Sequence, residues 1–170
     1  MSAQVIVVDD EAAIREAVQQ WLELSGFDVR TCASAAEALA LVDRDFPGIV
    51  VSDVRMPGSD GLQLLDKLLQ VDTDLPVILV TGHGDVPMAV QALRQGAYDF
   101  IEKPFTPERL LDSVRRALDK RRLVCENRQL RRQVADKGRI ESQLIGISRP
   151  MENMRRQILE IGRASCRERV

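Results

Sequence analysis

Cysteine and aromatic residues are scarce in this chain. Of its 170 residues, three are cysteine, one is tryptophan and one is tyrosine. Cys32, Cys125 and Cys166 make an odd number with none of the spacings that bind zinc. The sequence therefore predicts neither a disulfide framework nor a thiolate metal site, and we expect a reduced, cytoplasmic setting.

Long apolar segments are also missing. No stretch approaches the roughly 20 apolar residues of a transmembrane helix, and no basic leader with an apolar segment precedes Asp9. The sequence thus predicts a protein without a membrane partner. The pattern Gly-x-x-x-x-Gly-Lys-[Ser/Thr] is absent and nothing resembles a helix-turn-helix, so this stretch carries neither the usual nucleotide cradle nor a DNA-reading helix.

Charge is unevenly distributed along the chain. Residues 1–114 carry 8 Lys+Arg and 19 Asp+Glu, a net of −11, whereas residues 115–170 carry 16 and 7, a net of +9. An acidic domain is therefore followed by a basic extension. The run Lys120-Arg121-Arg122 could attract nucleic acid, but no aromatic residues interleave with it. We interpret these basic positions as the solvated flank of a coiled-coil helix.

Four short apolar runs predict buried strands. They are rich in β-branched residues, which is typical of parallel strands covered on both faces; the runs are Val5–Val8, Ile49–Val51, Val77–Val80 and Tyr98–Ile101. A weaker strand, Asp28–Cys32, fits between the first two. The segments between strands show helical spacing of apolar residues, and Ser34-x-x-Glu37 forms a capping box. This alternation predicts an α/β fold with a doubly wound sheet of five parallel strands.

Polar residues stand where four of these strands end. They are Asp9, Asp10, Asp53, Thr81 and Lys103. Because parallel strands present their carboxyl ends at one edge of a sheet, these side chains should lie close together. The carboxylates would repel one another without a cation, and oxygen ligands at an open rim favour Mg²⁺ over zinc. A carboxylate can then attack a phosphoryl group whose oxygens Lys103 and Thr81 hold, so we predict phosphorylation of one of these aspartates.

These residues closely resemble the receiver domain of bacterial two-component response regulators. The motifs are Asp9-Asp10, Asp53-Val54-Arg55-Met56-Pro57-Gly58, Thr81-Gly82 and Lys103-Pro104. The resemblance implies a flavodoxin-like sheet with strand order 2-1-3-4-5. It also implies that Asp53 accepts phosphate from a histidine of a sensor kinase. Asp10, Asp53 and the Arg55 backbone carbonyl would bind Mg²⁺, with Asp9 assisting.

The same resemblance implies a switch. Thr81 would move toward the phosphoryl group, and an aromatic residue three positions before Lys103 would turn inward. That aromatic residue is Phe100, so a switch that relies on a tyrosine hydroxyl is not available here. The resemblance further implies a cis peptide bond between Lys103 and Pro104, with the fourth helix, fifth strand and fifth helix as the readout surface.

The extension predicts a long helix and a dimer. Thr106 is a suitable N-cap with Pro107 in the first helical position, and neither glycine nor proline follows until Gly138. A helix of roughly 45–48 Å is therefore possible at 1.5 Å per residue. Four residues at alternating spacings of four and three form a coiled-coil seam that predicts a parallel homodimer, with the asparagine fixing the register; they are Leu123, Asn127, Leu130 and Val134.

The segment beyond the helix resembles the opening of the ATPase domain of activators that act with the alternative sigma factor σ54. This resemblance rests on Leu144-Ile145-Gly146, Met151 and Met154–Ile158. We predict a receiver domain over residues 1–120, a linker helix over 121–142, a truncated ATPase opening over 143–163 and a cloning remnant over 164–170. Contacts with σ54 RNA polymerase and DNA would then need domains outside this chain.

Three classes of function remain open. The first is a phosphorylation-controlled switch that dimerises through its linker. The second is an aspartyl phosphatase or phosphotransferase, but such enzymes carry a second acid two residues after the nucleophile, where this chain has Arg55. The third is a receiver-like adaptor that never takes phosphate. The complete acidic set and Lys103 argue against such an adaptor, since a degenerate site should have lost at least one of them, and Arg55 argues against the enzyme. We therefore predict the switch, which catalyses only its own phosphorylation and dephosphorylation.

Overall fold

A five-stranded parallel sheet organises the chain. The computed structural model describes residues 3–82 and 86–145. In chain order its elements are β1 (Gln4–Val8), α1 (Ala12–Leu24), β2 (Asp28–Cys32), α2 (Ala35–Leu41), β3 (Ile49–Asp53), β4 (Arg55–Met56), β5 (Ser59–Asp60), α3 (Gly61–Val71), β6 (Val77–Thr81), α4 (Val86–Gln95), β7 (Asp99–Glu102) and α5 (Pro107–Ile145). Contacts divide the chain into two units, residues 1–125 and residues 126–170. The first unit contains the sheet.

The strand order agrees with the sequence prediction. The strands lie in the order β2-β1-β3-β6-β7, and each neighbouring pair is parallel. The two-residue strands β4 and β5 form a separate antiparallel hairpin. Without that hairpin the order is 2-1-3-4-5, so the predicted α/β fold is confirmed. The weak strand Asp28–Cys32 has the predicted ends and pairs with β1.

Apolar side chains cover both faces of the sheet. In β1, Val5 and Val7 belong to the core formed with α1 and α5, whereas Ile6 and Val8 belong to the core formed with α2, α3 and α4. Successive side chains of a strand point to opposite faces. A strand covered on both sides must therefore be apolar at nearly every position, which is the pattern in the sequence.

Two helices begin at the predicted caps. The Glu37 N–H donates to Ser34 Oγ at 3.3 Å, and the Glu37 carboxylate accepts from the Ala33 N–H at 3.0 Å. The capping box is thus present, with its return bond one residue before the cap. At the start of α5, the Arg109 N–H donates to Thr106 Oγ1 at 3.3 Å.

Helix α5 is longer than the sequence predicts. Its 39 residues continue through Gly138 to Ile145, a length of about 58 Å at 1.5 Å per residue. Open space surrounds Gly138, and an interior glycine costs a helix only about 1 kcal/mol relative to alanine. Of the predicted segment 143–163, residues beyond 145 lie outside the described residues, as does the predicted segment 164–170.

Membrane-spanning character is not found in the described helices. Across residues 3–82 and 86–145, no helix is both long enough and apolar enough to cross a bilayer.

Arg121 is buried. The interpretation of the run Lys120-Arg121-Arg122 as a solvated flank of a coiled-coil helix is therefore wrong for this residue. Its guanidinium is fully enclosed, and Nε and Nη2 donate to the Phe46 carbonyl at 3.0 and 2.6 Å. Nη1 lies 2.8 Å from Asp72 Oδ2, an ion pair outside hydrogen-bond geometry. Asp72 is itself buried at the end of α3. The arginine therefore fastens α5 to the loops after α2 and α3.

Asp99 joins the last strand to α5. The Ser113 hydroxyl donates to Asp99 Oδ2 at 2.7 Å, the Phe100 N–H donates to Oδ1 at 2.8 Å, and Arg109 Nη2 lies 3.1 Å from Oδ2. Partial burial raises the pKa of the Asp99 carboxyl, but the bonds from Ser113, Phe100 and Arg109 outweigh burial and leave the pKa below its usual value.

Removal of the Arg121 guanidinium should destabilise the fold strongly. In Arg121→Met, the buried Asp72 carboxylate loses the guanidinium that lies 2.8 Å from it, so we expect the free energy of unfolding to fall by about 3–5 kcal/mol. Urea denaturation measures the loss. Arg122→Met is the matched control. Arg122 is the exposed neighbour of Arg121, so its replacement should change the free energy of unfolding by less than about 0.5 kcal/mol. Adding Asp72→Asn to Arg121→Met should restore part of the loss, since the buried carboxylate that the guanidinium had paired with is then neutral. Equal free energies of unfolding for Arg121→Met and Arg122→Met would contradict this account.

Asp99 should contribute to the pH dependence of stability. A carboxyl with a lowered pKa in the folded state stabilises the protein above its unfolded pKa, and that contribution disappears as the pH falls through the folded pKa. We expect Asp99→Asn to be less stable than the parent at neutral pH, and the difference to shrink below about pH 4. Urea denaturation across this range, with the exposed Asp66→Asn as control, measures the effect. A difference independent of pH would oppose this assignment.

Candidate functional site

Three carboxylates meet at the carboxyl edge of the sheet. Asp9 and Asp10 follow β1 directly, and Asp53 is the last residue of β3. One ligand oxygen from each residue lies within 4.8 Å of the others. Asp9 is buried, Asp53 is partly buried and Asp10 is exposed, so the cluster is open to solvent on one side. The pairing of β1 with β3 in parallel register brings these acids together.

Lys103 supplies the positive charge at this cluster. Its Nζ lies 3.3 Å from Asp9 Oδ2 and 3.6 Å from Asp53 Oδ1. The backbone N–H of Lys103 donates to the Thr81 carbonyl at 2.7 Å, which continues the pairing of β6 with β7. The peptide bond from Lys103 to Pro104 is cis, as the family resemblance implied.

The Asp53 carboxyl is harder to ionise than an ordinary aspartate. Burial raises its pKa, Lys103 lowers it, and the neighbouring Asp9 and Asp10 raise it again, so that the pKa lies above its usual value. Lys103 therefore does not fully offset burial and the two neighbouring acids at Asp53, and a further cation nearby would stabilise the ionised form.

The donor set fits Mg²⁺. Carboxylate oxygens are hard ligands, and an exposed rim leaves room for the waters that this ion retains. Asp10 and Asp53 offer oxygens there, with Asp9 beside them. Arg55 lies in β4, two residues after Asp53. Its backbone carbonyl is the third predicted ligand of Mg²⁺.

Several contacts hold Asp9 in place. Its N–H donates to the Cys32 carbonyl at 3.2 Å, its Oδ1 accepts from the Glu11 N–H at 2.9 Å, and its carbonyl accepts from Arg15 Nη1 at 2.6 Å. Sequence reasoning missed Arg15. The available signal was its position early in the first predicted helix, where a long side chain can reach back to the end of the preceding strand.

The predicted switch residues occupy neighbouring strands. Thr81 is the buried last residue of β6. Phe100 lies in β7, is partly buried and packs against the core on the side of α3 and α4. Both positions are compatible with the predicted switch, and their movement stays a prediction.

A small hairpin follows Asp53 that sequence reasoning identified only as a turn. Strands β4 and β5 pair through Arg55 and Asp60, and Gly58 turns the chain with a φ of +75°. Gly61 lies so close to the Asp53 carbonyl that a Cβ atom would collide with it. The glycine therefore lets α3 begin directly against the end of β3.

The predicted dimer seam lies on exposed positions of α5. Leu123, at the end of the first unit, is 60% exposed. In the second unit, Leu130 is 62% and Val134 is 72% exposed, and Asn127 is exposed as well. Within the described residues the chain itself does not cover these side chains, and their pairing with a second copy stays a prediction.

Comparison with known proteins identifies relatives of this chain. The profile of the response regulator receiver domain matches residues 5–115. The C4-dicarboxylate transport transcriptional regulatory protein DctD of Pseudomonas aeruginosa is 54% identical over 155 residues, which are 91% of this chain and 34% of that protein. DctD of Rhizobium meliloti is 57% identical over 157 residues, 92% of this chain and 34% of that protein. The chain thus spans about a third of the length of these curated relatives.

A solved structure shows the same fold. The solution structure of the beryllofluoride-activated NtrC4 receiver domain dimer matches with a TM-score of 0.66 and 38% identity, covering 69% of this chain and 98% of that chain. The profile match, the identity to both DctD proteins and this fold agree with one another. The chain therefore belongs to the response regulator receiver family of two-component systems, with its likeness on the side of the NtrC class.

Proposed function

We propose that this chain accepts a phosphoryl group on Asp53 from a phosphohistidine of a sensor kinase, in a reaction that requires Mg²⁺. The observation that carries this proposal is the cluster of three aspartates around Lys103 at the carboxyl edge of the sheet. Carboxylates in this geometry provide metal ligands and a nucleophile, and the ammonium group provides a contact for the oxygens of the incoming group.

Asp53 is the best acceptor of the three. Asp9 uses one carboxylate oxygen for the Glu11 N–H and the other for Lys103, so both are engaged. Asp10 is exposed on the rim. Asp53 stands between these extremes, partly buried and contacted by Lys103 through Oδ1. A partly desolvated carboxylate is a stronger nucleophile than one that is fully hydrated, and Lys103 beside it can pair with an oxygen of the incoming phosphoryl group.

The transfer needs few protein groups. An Asp53 oxygen attacks phosphorus, the bond from phosphorus to the donor nitrogen breaks, and its electron pair remains on the histidine. Mg²⁺, held by Asp10, Asp53 and the Arg55 backbone carbonyl with Asp9 assisting, would neutralise charge on both reactants. Lys103 then pairs with a phosphoryl oxygen instead of the Asp53 carboxylate. The protein thereby catalyses its own modification and acts on no external substrate.

The response would pass from the site to α4, β7 and α5. Thr81 would donate its hydroxyl to a phosphoryl oxygen, and Phe100 would turn toward the space that the threonine leaves. Because Phe100 lies in β7 between α4 and α5 in the chain order, its rotation would alter the surface of these elements. We infer that this change rearranges a homodimer held by the seam on α5.

We further infer that the complete regulator controls transcription with σ54 RNA polymerase in the cytoplasm. The support is the identity of 54–57% to two proteins named as C4-dicarboxylate transport transcriptional regulators. The ATPase activity and DNA binding would come from regions outside this chain, because its matches cover 34% of those relatives.

Phosphate uptake tests the acceptor. With acetyl phosphate and Mg²⁺, the parent chain should gain one phosphoryl group, whereas Asp53→Asn should gain none because the nucleophile is lost. Intact-protein mass spectrometry measures both, and Asp66→Asn removes an exposed carboxylate of α3 as a matched control. Uptake by Asp53→Asn would show that another residue is the acceptor. Absence of uptake in every chain would favour an adaptor that works by binding alone.

The oligomeric state tests the seam. Leu123→Asp combined with Leu130→Asp should yield monomers, because two like charges would face each other at apolar positions of the dimer. Sedimentation velocity measures the change in mass. The control is Gln129→Asp combined with Ala135→Asp, which adds the same charge at exposed positions outside the seam. A dimer that survives the leucine changes would place the interface elsewhere.

A further inference from the structure

Arg15 contacts the backbone of the acid cluster. It is the fourth residue of α1 and reaches back so that its Nη1 donates to the Asp9 carbonyl at 2.6 Å. A hydrogen bond from a guanidinium is charge-assisted, and a distance this short is typical of the stronger bonds of that kind. The contact is partly buried, so water competes for it less than at an exposed site.

This bond completes a set of contacts that fixes the short connection between β1 and α1. The Asp9 N–H is bound to Cys32, its carboxylate to Glu11 and Lys103, and its carbonyl to Arg15. Asp10 follows directly, and within residues 3–82 and 86–145 its side chain makes no hydrogen bond or ion pair. The position of the Asp10 carboxylate therefore depends on the backbone that Asp9 anchors.

We propose that Arg15 is a positioning residue for the metal site. By holding the Asp9 carbonyl, it sets the direction in which the chain presents Asp10, although it contacts no metal ligand oxygen itself. This inference rests on the proposed function, because it assigns Arg15 a role in forming the Mg²⁺ site. Groups of this kind, one shell outside the ligands, affect metal affinity through ligand geometry.

Electrostatics and positioning predict effects of opposite sign. Arg15 carries a positive charge near a site for a divalent cation, so removal of its charge alone would reduce repulsion and tighten Mg²⁺ binding. If Arg15 positions Asp10, its removal weakens binding in spite of that gain. The direction of the change in Mg²⁺ affinity therefore separates the two roles.

Calorimetric titration with Mg²⁺ provides the test. We expect Arg15→Met to bind Mg²⁺ about tenfold more weakly than the parent. Arg15→Lys keeps the charge and one donor, and its affinity should fall between those of the parent and Arg15→Met. Arg30→Met is the matched control, because it removes an exposed arginine of β2. Its affinity should be equal to or slightly tighter than that of the parent.

Hydrogen exchange in the metal-free protein gives a second readout. The Glu11 N–H donates to Asp9 Oδ1, so a loosened Asp9 should let this amide exchange faster in Arg15→Met, with the amides from Val18 onward in α1 unchanged. Faster exchange throughout α1 would overturn the proposal, because that pattern belongs to a weakened helix. Unchanged or tighter Mg²⁺ binding in Arg15→Met would overturn it as well. Failure of the parent to bind Mg²⁺ would instead contradict the proposed function.

Discussion

Repulsion among three carboxylates within 4.8 Å is the constraint on which the site depends. Asp9, Asp10 and Asp53 stay together because β1 and β3 are paired deep in a sheet that is apolar on both faces. Lys103 relieves part of the repulsion, but burial, together with the charges of Asp9 and Asp10, still keeps the pKa of Asp53 above its usual value. The stability of the two cores therefore maintains an arrangement of charge that the acids would not adopt alone, and the proposed metal binding and phosphoryl transfer depend on this arrangement.

The sequence predicted most of the sheet because the relevant signals are local. A strand buried on both faces must be apolar at successive positions, so the runs around Val7, Val51 and Val80 are visible without a partner. The residues at the strand ends are equally local, and parallel pairing then brings them to one edge. Ser34 and Thr106 predicted the starts of two helices for the same reason, since a cap lies within three residues of the group it binds.

Contacts between distant segments left no comparable signal. Arg121 and Phe46 are 75 residues apart, and nothing near either residue indicates that a basic run would turn one of its members inward. Helix α5 continues through Gly138 to Ile145, past the predicted linker end at residue 142, because the penalty for one glycine is small beside the helical hydrogen bonds on either side. The hairpin after Asp53 could be anticipated only as a turn, since strands of two residues are too short to show a period.

The burial of Arg121 also decides where this domain can be cut. The family profile ends at residue 115, and the sequence predicted the end of the receiver domain at residue 120. A fragment trimmed at either point would lack the guanidinium that neutralises Asp72 and occupies the Phe46 carbonyl. A fragment that keeps these contacts must extend at least to Arg121, which is the first residue of the predicted linker helix. A fusion of this receiver domain to another output domain would therefore need to include the turn of α5 that contains Arg121.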